Sequence, residues 1–164
     1  MIEMLLLDVD GTLSDGKIYY SDNGGEYKVF DVKDGLGLRV WKKLGKKSAI
    51  ITGRKSLIVE RRAKELGIDE IYMGVEDKAE VAKEIKQKYS LSQEQVACIG
   101  DDYNDLPMFK ESGLKFSPQN AVEFIKKNAD MVLSKKGGDG AVRELIEFLM
   151  RQEGLEEKWL EFFT

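Results

Sequence analysis

Short apolar runs alternate along the chain with segments whose apolar residues recur at helical spacing. Residues 4–9 form an apolar stretch closed by acids and Gly11, the signature of a strand buried on both faces of a parallel sheet. Residues 47–52, 70–73, 96–100, 114–116 and 131–133 repeat the pattern. Between them, Val59, Ala63 and Leu66 recur at i, i+4 and i+7, and Val81, Ile85 and Tyr89 at i, i+4 and i+8. Val142, Leu145, Ile146 and Leu149 fill a third such stripe, each predicting an amphipathic helix. Gly45 and Gly67 stand where helices end. Alternating strand and helix predicts βαβ units, hence an α/β fold with a doubly wound parallel sheet between two helical layers.

One segment breaks this rhythm. Residues 17–31 place aromatic and β-branched side chains on both sides of Asp22-Asn23-Gly24-Gly25, which predicts a β-hairpin inserted after the first strand. The tail from residue 154 ends in Trp159, Leu160, Phe162 and Phe163, an apolar end that docks either on its own core or on a partner. No linker or fixed-period repeat divides residues 1–164, so a single domain is expected.

Composition narrows the chemistry. The 164 residues include no histidine, which removes Ser-His-Asp and Cys-His nucleophilic systems, His-ligated zinc and imidazole proton transfer together. Cys98 is the one cysteine, so neither an internal disulfide nor a cysteine-rich metal site is available and a reducing compartment is expected. Lys and Arg number 26 against 30 Asp and Glu, a net charge of −4 that leaves no electrostatic footprint for nucleic acid. No stretch reaches the 18 or so apolar residues that cross a membrane, and the N-terminal run is too short for a signal peptide. A cytoplasmic location is the expectation.

In open α/β sheets ligands bind beyond the carboxyl ends of the strands, and here those ends carry reactive groups. The first strand runs into Asp8-Val9-Asp10-Gly11-Thr12 and the next into Thr52-Gly53-Arg54. Lys78 opens a helix after the third, and the fourth leads into Gly100-Asp101-Asp102, with Asp105 following. Singly, each has an ordinary explanation: a helix cap, a turn, a solvated lysine. Together they gather four carboxylates besides Asp105, a hydroxyl and two cations on one sheet edge, where the acids repel unless a hard cation such as Mg²⁺ joins them. Without histidine, a carboxylate can attack phosphorus and form an aspartyl-phosphate. Asp8 and Asp10 lie two apart and share a strand face; a bend at Gly11 then swings Asp10 toward the leaving group as acid and later base. Thr52 and Lys78 are suited to holding phosphoryl oxygens.

These ordered motifs resemble the four motifs of the haloacid dehalogenase-like phosphohydrolases, across most of the chain. The resemblance implies a Rossmann-like domain with Asp8 as nucleophile and Asp10 as acid/base. It also implies Mg²⁺ ligation by Asp8, the Asp10 carbonyl and Asp101, with Asp102 and Asp105 as positioning acids and Asp105 also suited to capping the next helix. Larger members carry a cap domain, for which this chain has no room. Asp31-Val32-Lys33-Asp34-Gly35, the run from Ile50 to Ser56, Arg62, Leu66-Gly67-Ile68 and the run from Gly137 to Glu144 resemble one capless branch, the 3-deoxy-D-manno-octulosonate 8-phosphate phosphatases. That branch implies a homotetramer whose hairpins associate and whose neighbouring subunit closes the site. It further implies sugar-acid recognition by Gly53, Arg54 and Arg62.

The residues themselves bear on these implications. Arg54 is expected to begin a helix, where a cation gains nothing from the macrodipole, so anion binding is a natural reason for it. Arg62 lies seven residues after Lys55 on a surface that is basic anyway. Gly137–Gly138-Asp139-Gly140 lacks the Lys-Ser/Thr ending of a P-loop, and Gly35-Leu36-Gly37 is too short for a dinucleotide fingerprint. Tyr19, Tyr20, Tyr27 and Phe30 on a hairpin favour an oligomer over packing on the small domain. The rival substrates are the sialic-acid type 2-keto-3-deoxynonulosonate 9-phosphate, whose phosphatases tend to carry Glu where Arg54 stands, and a broad set of sugar phosphates. A phospho-receiver signalling domain shares the acids, Thr and Lys, but places its phospho-Asp on a later strand and lacks an acid two residues on.

Overall fold

The computed structural model describes residues 1–164. The N-terminal strand β1 (Met4–Leu7) enters the centre of the molecule and all four of its residues are buried. It leads through a small hairpin, β2 (Tyr19–Tyr20) and β3 (Glu26–Tyr27), to helix α1 (Val32–Lys43). Strand and helix then alternate: β4 (Lys47–Thr52), α2 (Leu57–Leu66), β5 (Glu70–Met73), α3 (Lys78–Lys88), β6 (Val96–Ile99) and α4 (Leu106–Lys110). The chain closes with β7 (Leu114–Ser117), α5 (Glu123–Asn128), β8 (Met131–Val132), α6 (Ala141–Gln152) and α7 (Glu156–Glu161).

The six longer-range strands form one sheet in the order β5-β4-β1-β6-β7-β8, every pair parallel. β1 sits between β4 and β6 with Leu5 opposite Ser48 on one side and Ala97 on the other. Because side chains alternate along a strand, odd and even residues of β1 serve different cores. Leu5 and Leu7 join Ile50, Ala97 and Ile99 against Leu38 and Trp41 of α1, Val59 and Ala63 of α2, and the buried stripe of α6. Met4 and Leu6 join Ala49, Ile51 and Cys98 against Ala82 and Ile85 of α3, Met108 and Phe109 of α4, and Ile125 of α5. The result is the expected three-layer, doubly wound α/β sheet. The strand order reverses at β1, which puts the topological switch point, and hence the ligand crevice, at the residues just after Leu7.

Several local details differ from expectation. β1 ends at Leu7, so Asp8 and Asp10 lie in the turn beyond it rather than on a shared strand face. Arg54 does not begin a helix: α2 starts at Leu57, capped by Ser56, whose Oγ accepts from the Val59 N–H at 3.4 Å. Arg54 instead occupies the bend by which the chain leaves the sheet. The hairpin is a two-residue ladder, Tyr19 opposite Tyr27 and Tyr20 opposite Glu26, braced at its base by a bridge between Ser14 and Phe30. The tail splits. Trp159 packs on the α1/α6 core beneath the Arg143 guanidinium, 4.6 Å from its ring centroid, while Leu160, Phe162 and Phe163 stay exposed.

Helix α6 begins unusually. Its N-cap is Gly140, at φ +93°, which has no side chain to offer the first free N–H groups. Asp34 of α1 fills that role from 109 residues away, accepting the Arg143 N–H at 2.8 Å. Asp34 is buried and its Oδ2 has no partner. Burial, opposed by the Arg143 amide and aided by the charge of Asp31, pushes its carboxyl up to about 7.

Candidate active site

The switch point is built from three carboxylates, two of them paired to one lysine. Asp8 follows β1 directly, its N–H donating to the Ile99 carbonyl at 3.2 Å, so the register of β1 against β6 fixes where its side chain emerges. Lys78 is the first residue of α3, held there by the Asp77 cap, and its Nζ lies 2.6 Å from both Asp8 Oδ1 and Asp105 Oδ1. All three side chains are almost wholly buried. Asp101, in the loop just after β6, completes the group: its carboxylate oxygen lies with those of Asp8 and Asp105 within a 4.8 Å set.

The loops carrying these groups are pressed together. Gly11 adopts φ +96° and its Cα lies against the Asp101 carboxylate; an added Cβ would stand 2.0 Å from Asp101 Oδ2. Gly137 lies over Gly11, where a Cβ would meet the Gly11 carbonyl oxygen at 1.7 Å, and the Gly138 N–H donates to the Thr12 carbonyl at 3.0 Å. The glycine-rich run ahead of α6 is thus a clamp on the Asp8–Thr12 turn, not a phosphate cradle.

Asp105 departs from its expected secondary role. Rather than capping α4, its Oδ2 accepts the N–H groups of Asp101 at 2.8 Å and Asp102 at 3.2 Å, folding the loop back on itself. Asp102 is exposed and caps the following turn through the Tyr103 N–H at 2.7 Å. Asp10 stands apart from the three-acid set: its partner is the ammonium of Lys28, which reaches in from the hairpin.

Electrostatics follow from this crowding. Burial first, and then the Asp105 charge, push the Asp8 carboxyl up to about 7 against the pull of Lys78. Asp101 is pushed up to about 8 by burial and by Asp8, Asp105 and Asp102. Lys78 is raised because its two carboxylates outweigh the effect of burial. Two acids held out of their ordinary range mark a site short of positive charge. Its donors are oxygen only, the chemistry of a small hard divalent cation rather than a soft metal.

Thr52 is buried at the end of β4, and Gly53 behind it is exposed. Arg54 pairs with Glu26 of the hairpin at 3.0 Å. Arg62 lies further out, against Phe30 and 3.6 Å from Glu65, its Nε buried without a partner; it makes no contact with the three acids. Lys28 was not singled out from the sequence. The available signal was a cation placed between Tyr27 and Val29, just after the hairpin's second strand.

Comparison with known proteins agrees with this geometry. Residues 70–145 match the haloacid dehalogenase-like hydrolase family. The chain is 41% identical over 153 residues to the 3-deoxy-D-manno-octulosonate 8-phosphate phosphatase of Escherichia coli, covering 93% of this chain and 81% of that one. Its fold superposes with TM-score 0.95 and 41% identity on the Moraxella catarrhalis enzyme of the same name, solved with magnesium, phosphate and the sugar acid, over 99% of this chain and 94% of that one. The cobalt-bound Haemophilus influenzae phosphatase matches with TM-score 0.89 and 37% identity, over 93% of this chain and 90% of that one.

Proposed function

Because the chain belongs to the haloacid dehalogenase-like hydrolases, in the family of the 3-deoxy-D-manno-octulosonate 8-phosphate phosphatases, we propose that it hydrolyses that phosphate ester to the free sugar acid and phosphate. The observation that carries this reading is Asp8: a buried carboxylate at the switch point, paired to Lys78 and adjoining Asp101, with a second acid two residues on.

Asp8 is the nucleophile. Its free oxygen attacks phosphorus while Lys78, already on Oδ1, keeps the side chain oriented and meets the charge arriving on the phosphoryl group. Thr52 and Lys78 hold the phosphoryl oxygens. Asp10 gives its proton to the ester oxygen as that bond to phosphorus breaks, which releases the sugar acid and leaves an aspartyl-phosphate on Asp8. Asp10, now a carboxylate, takes a proton from water as the water attacks phosphorus and frees Asp8. Asp8, Asp101 and the Asp10 carbonyl are suited to hold Mg²⁺, with Asp105 and Asp102 shaping the loop behind them. Bound there, Mg²⁺ neutralises the negative charge that the acids and the phosphoryl group bring together.

Gly53, Arg54 and Arg62 are assigned to the sugar acid. Arg54 sits in the bend beyond β4 beside the crevice, and its cation suits the substrate carboxylate. Arg62 is some way out, beside Phe30, where it suits the distal end of an extended substrate or a neighbouring subunit's edge. The chain works as a homotetramer, in this reading, with a neighbour's surface acting as the lid, and it operates in the cytoplasm.

The decisive experiment replaces Asp8 with Asn and follows phosphate release. We expect loss of turnover by about four orders of magnitude or more, because an amide is a poor nucleophile. A chelator should abolish parental activity and added Mg²⁺ restore it. Asp8→Asn turnover near the parent's, or parental turnover persisting in chelator, would overturn the mechanism.

A further inference from the structure

The hairpin contributes more than surface. Lys28 follows β3, and its Nζ contacts Asp10 Oδ1 while lying 3.7 Å from Glu26 Oε1. Its side chain is only 1% exposed, unusual for a lysine on a two-stranded hairpin. Glu26 in turn holds Arg54 at 3.0 Å, so a chain of alternating charge, Arg54–Glu26–Lys28–Asp10, runs from the substrate-facing bend to the turn after β1. Among the side-chain hydrogen bonds of the protein, that from Lys28 is the one Asp10 receives.

We propose that Lys28 is a positioning residue that fixes the Asp10 carboxyl group for proton delivery to the leaving-group oxygen. The inference rests on the assignment of Asp10 as general acid. A proton donor must stand within about 3 Å of its acceptor when the ester bond breaks, and misplacement by about 1 Å costs on the order of 100-fold. Asp10 lies in a turn, is partly open to solvent, and without a tether its carboxyl group rotates freely about χ2. Lys28 engages Oδ1, which leaves Oδ2 to carry the proton. As the ester oxygen–phosphorus bond breaks, that proton passes from Oδ2 to the departing oxygen. The positive charge of Lys28 stays where it is throughout. The hairpin that bears the exposed aromatic residues thereby also sets the orientation of the acid, so the state of the hairpin is linked to the chemical step.

The test uses leaving groups of different demand. Release of a sugar alkoxide requires a proton, whereas release of p-nitrophenolate requires almost none. kcat/KM is measured with 3-deoxy-D-manno-octulosonate 8-phosphate and with p-nitrophenyl phosphate, for the parent, Lys28→Met and Asp10→Asn, each as the full-length Mg²⁺-loaded protein. The ratio of sugar-phosphate to aryl-phosphate kcat/KM should fall about 10-fold or more in Lys28→Met. In the Asp10→Asn background, Lys28→Met should lower that ratio no further. A ratio unchanged in Lys28→Met overturns the proposal, even if both activities drop, because a purely structural loss strikes both substrates alike. A ratio unchanged in Asp10→Asn overturns instead the assignment of Asp10 as acid. Should Lys28→Met fail to fold, Lys28→Gln carries the same comparison.

Discussion

Asp34 shows how one residue sets a property of the whole protein. Its carboxyl is raised from an ordinary 3.8 to about 7 by burial, so between those values the folded protein holds a proton that the unfolded chain has released. Folding therefore binds protons in this window, and stability falls as pH rises from about 4 through about 7, then levels. A shift of about three units corresponds to at most about 4 kcal/mol. Asp34→Asn keeps an oxygen for the Arg143 N–H but cannot ionise. In saturating Mg²⁺, urea denaturation at pH 5 and pH 8 should show a smaller pH-dependent loss in the variant, which should be the more stable protein at pH 8 by about 1–4 kcal/mol. Equal slopes for variant and parent would mean that Asp34 ionises as in the unfolded chain. The residue was visible in the sequence only as part of a run near Gly35. Its partner lies 109 residues on, and nothing local announces a helix capped from another helix.

Among the elements, those defined by continuous apolar runs were legible to within a residue or two. Strand β4 was anticipated end to end, because its apolar centre Ala49-Ile50-Ile51 is unbroken and Gly45 and Gly53 punctuate it on either side. The site-bearing loops were less so. Arg54 was expected to begin a helix, yet Ser56 is the better cap, and the chain needs Gly53 to Lys55 to turn off the sheet before a helix can start. The Gly137–Gly140 run was legible as a loop but not as a clamp, since the surface it presses on belongs to a turn more than a hundred residues earlier. Gly137→Ala would drive a methyl group to 1.7 Å from the Gly11 carbonyl oxygen, so one of the two loops must yield. We expect kcat to fall about tenfold or more with a stability loss of about 1–3 kcal/mol. Parental kcat in that variant would mean that the clamp retreats without moving Asp8 or Asp10.

At the scale of the molecule, exposed apolar side chains gather on the hairpin and on the last turn of the tail, as well as at the stacked Tyr103–Phe124 pair. Ile18, Tyr20, Tyr27 and Val29 are exposed together, on a two-stranded ladder that is marginal in isolation. Leu160, Phe162 and Phe163 form the second patch. Surfaces of this kind are commonly covered by a partner, which favours self-association. Light scattering should report a tetramer for the parent, and Tyr20→Lys combined with Tyr27→Lys should shift it toward the monomer. A monomeric parent would remove the shared lid. No helix is long and apolar enough to cross a membrane.

The place of β1 in the sheet has a bearing on how the protein comes to exist at all. Of the strands in this sheet the first to be made is the central one, flanked by β4 and β6. Its β6 partner appears about 90 residues later, a delay of roughly 5–20 s at ordinary synthesis rates of about 5–20 residues per second. Through that interval Met4–Leu7 has one side of its backbone and much of its apolar surface without a permanent neighbour. Asp8, hung from the end of that strand and tied to Ile99, acquires its place only when β6 docks. Asp8, the proposed nucleophile, is thus made well before the strand that sets it in place. A chain that stops before residue 96 leaves one backbone edge of Met4–Leu7 open and lacks the Ile99 carbonyl that holds Asp8.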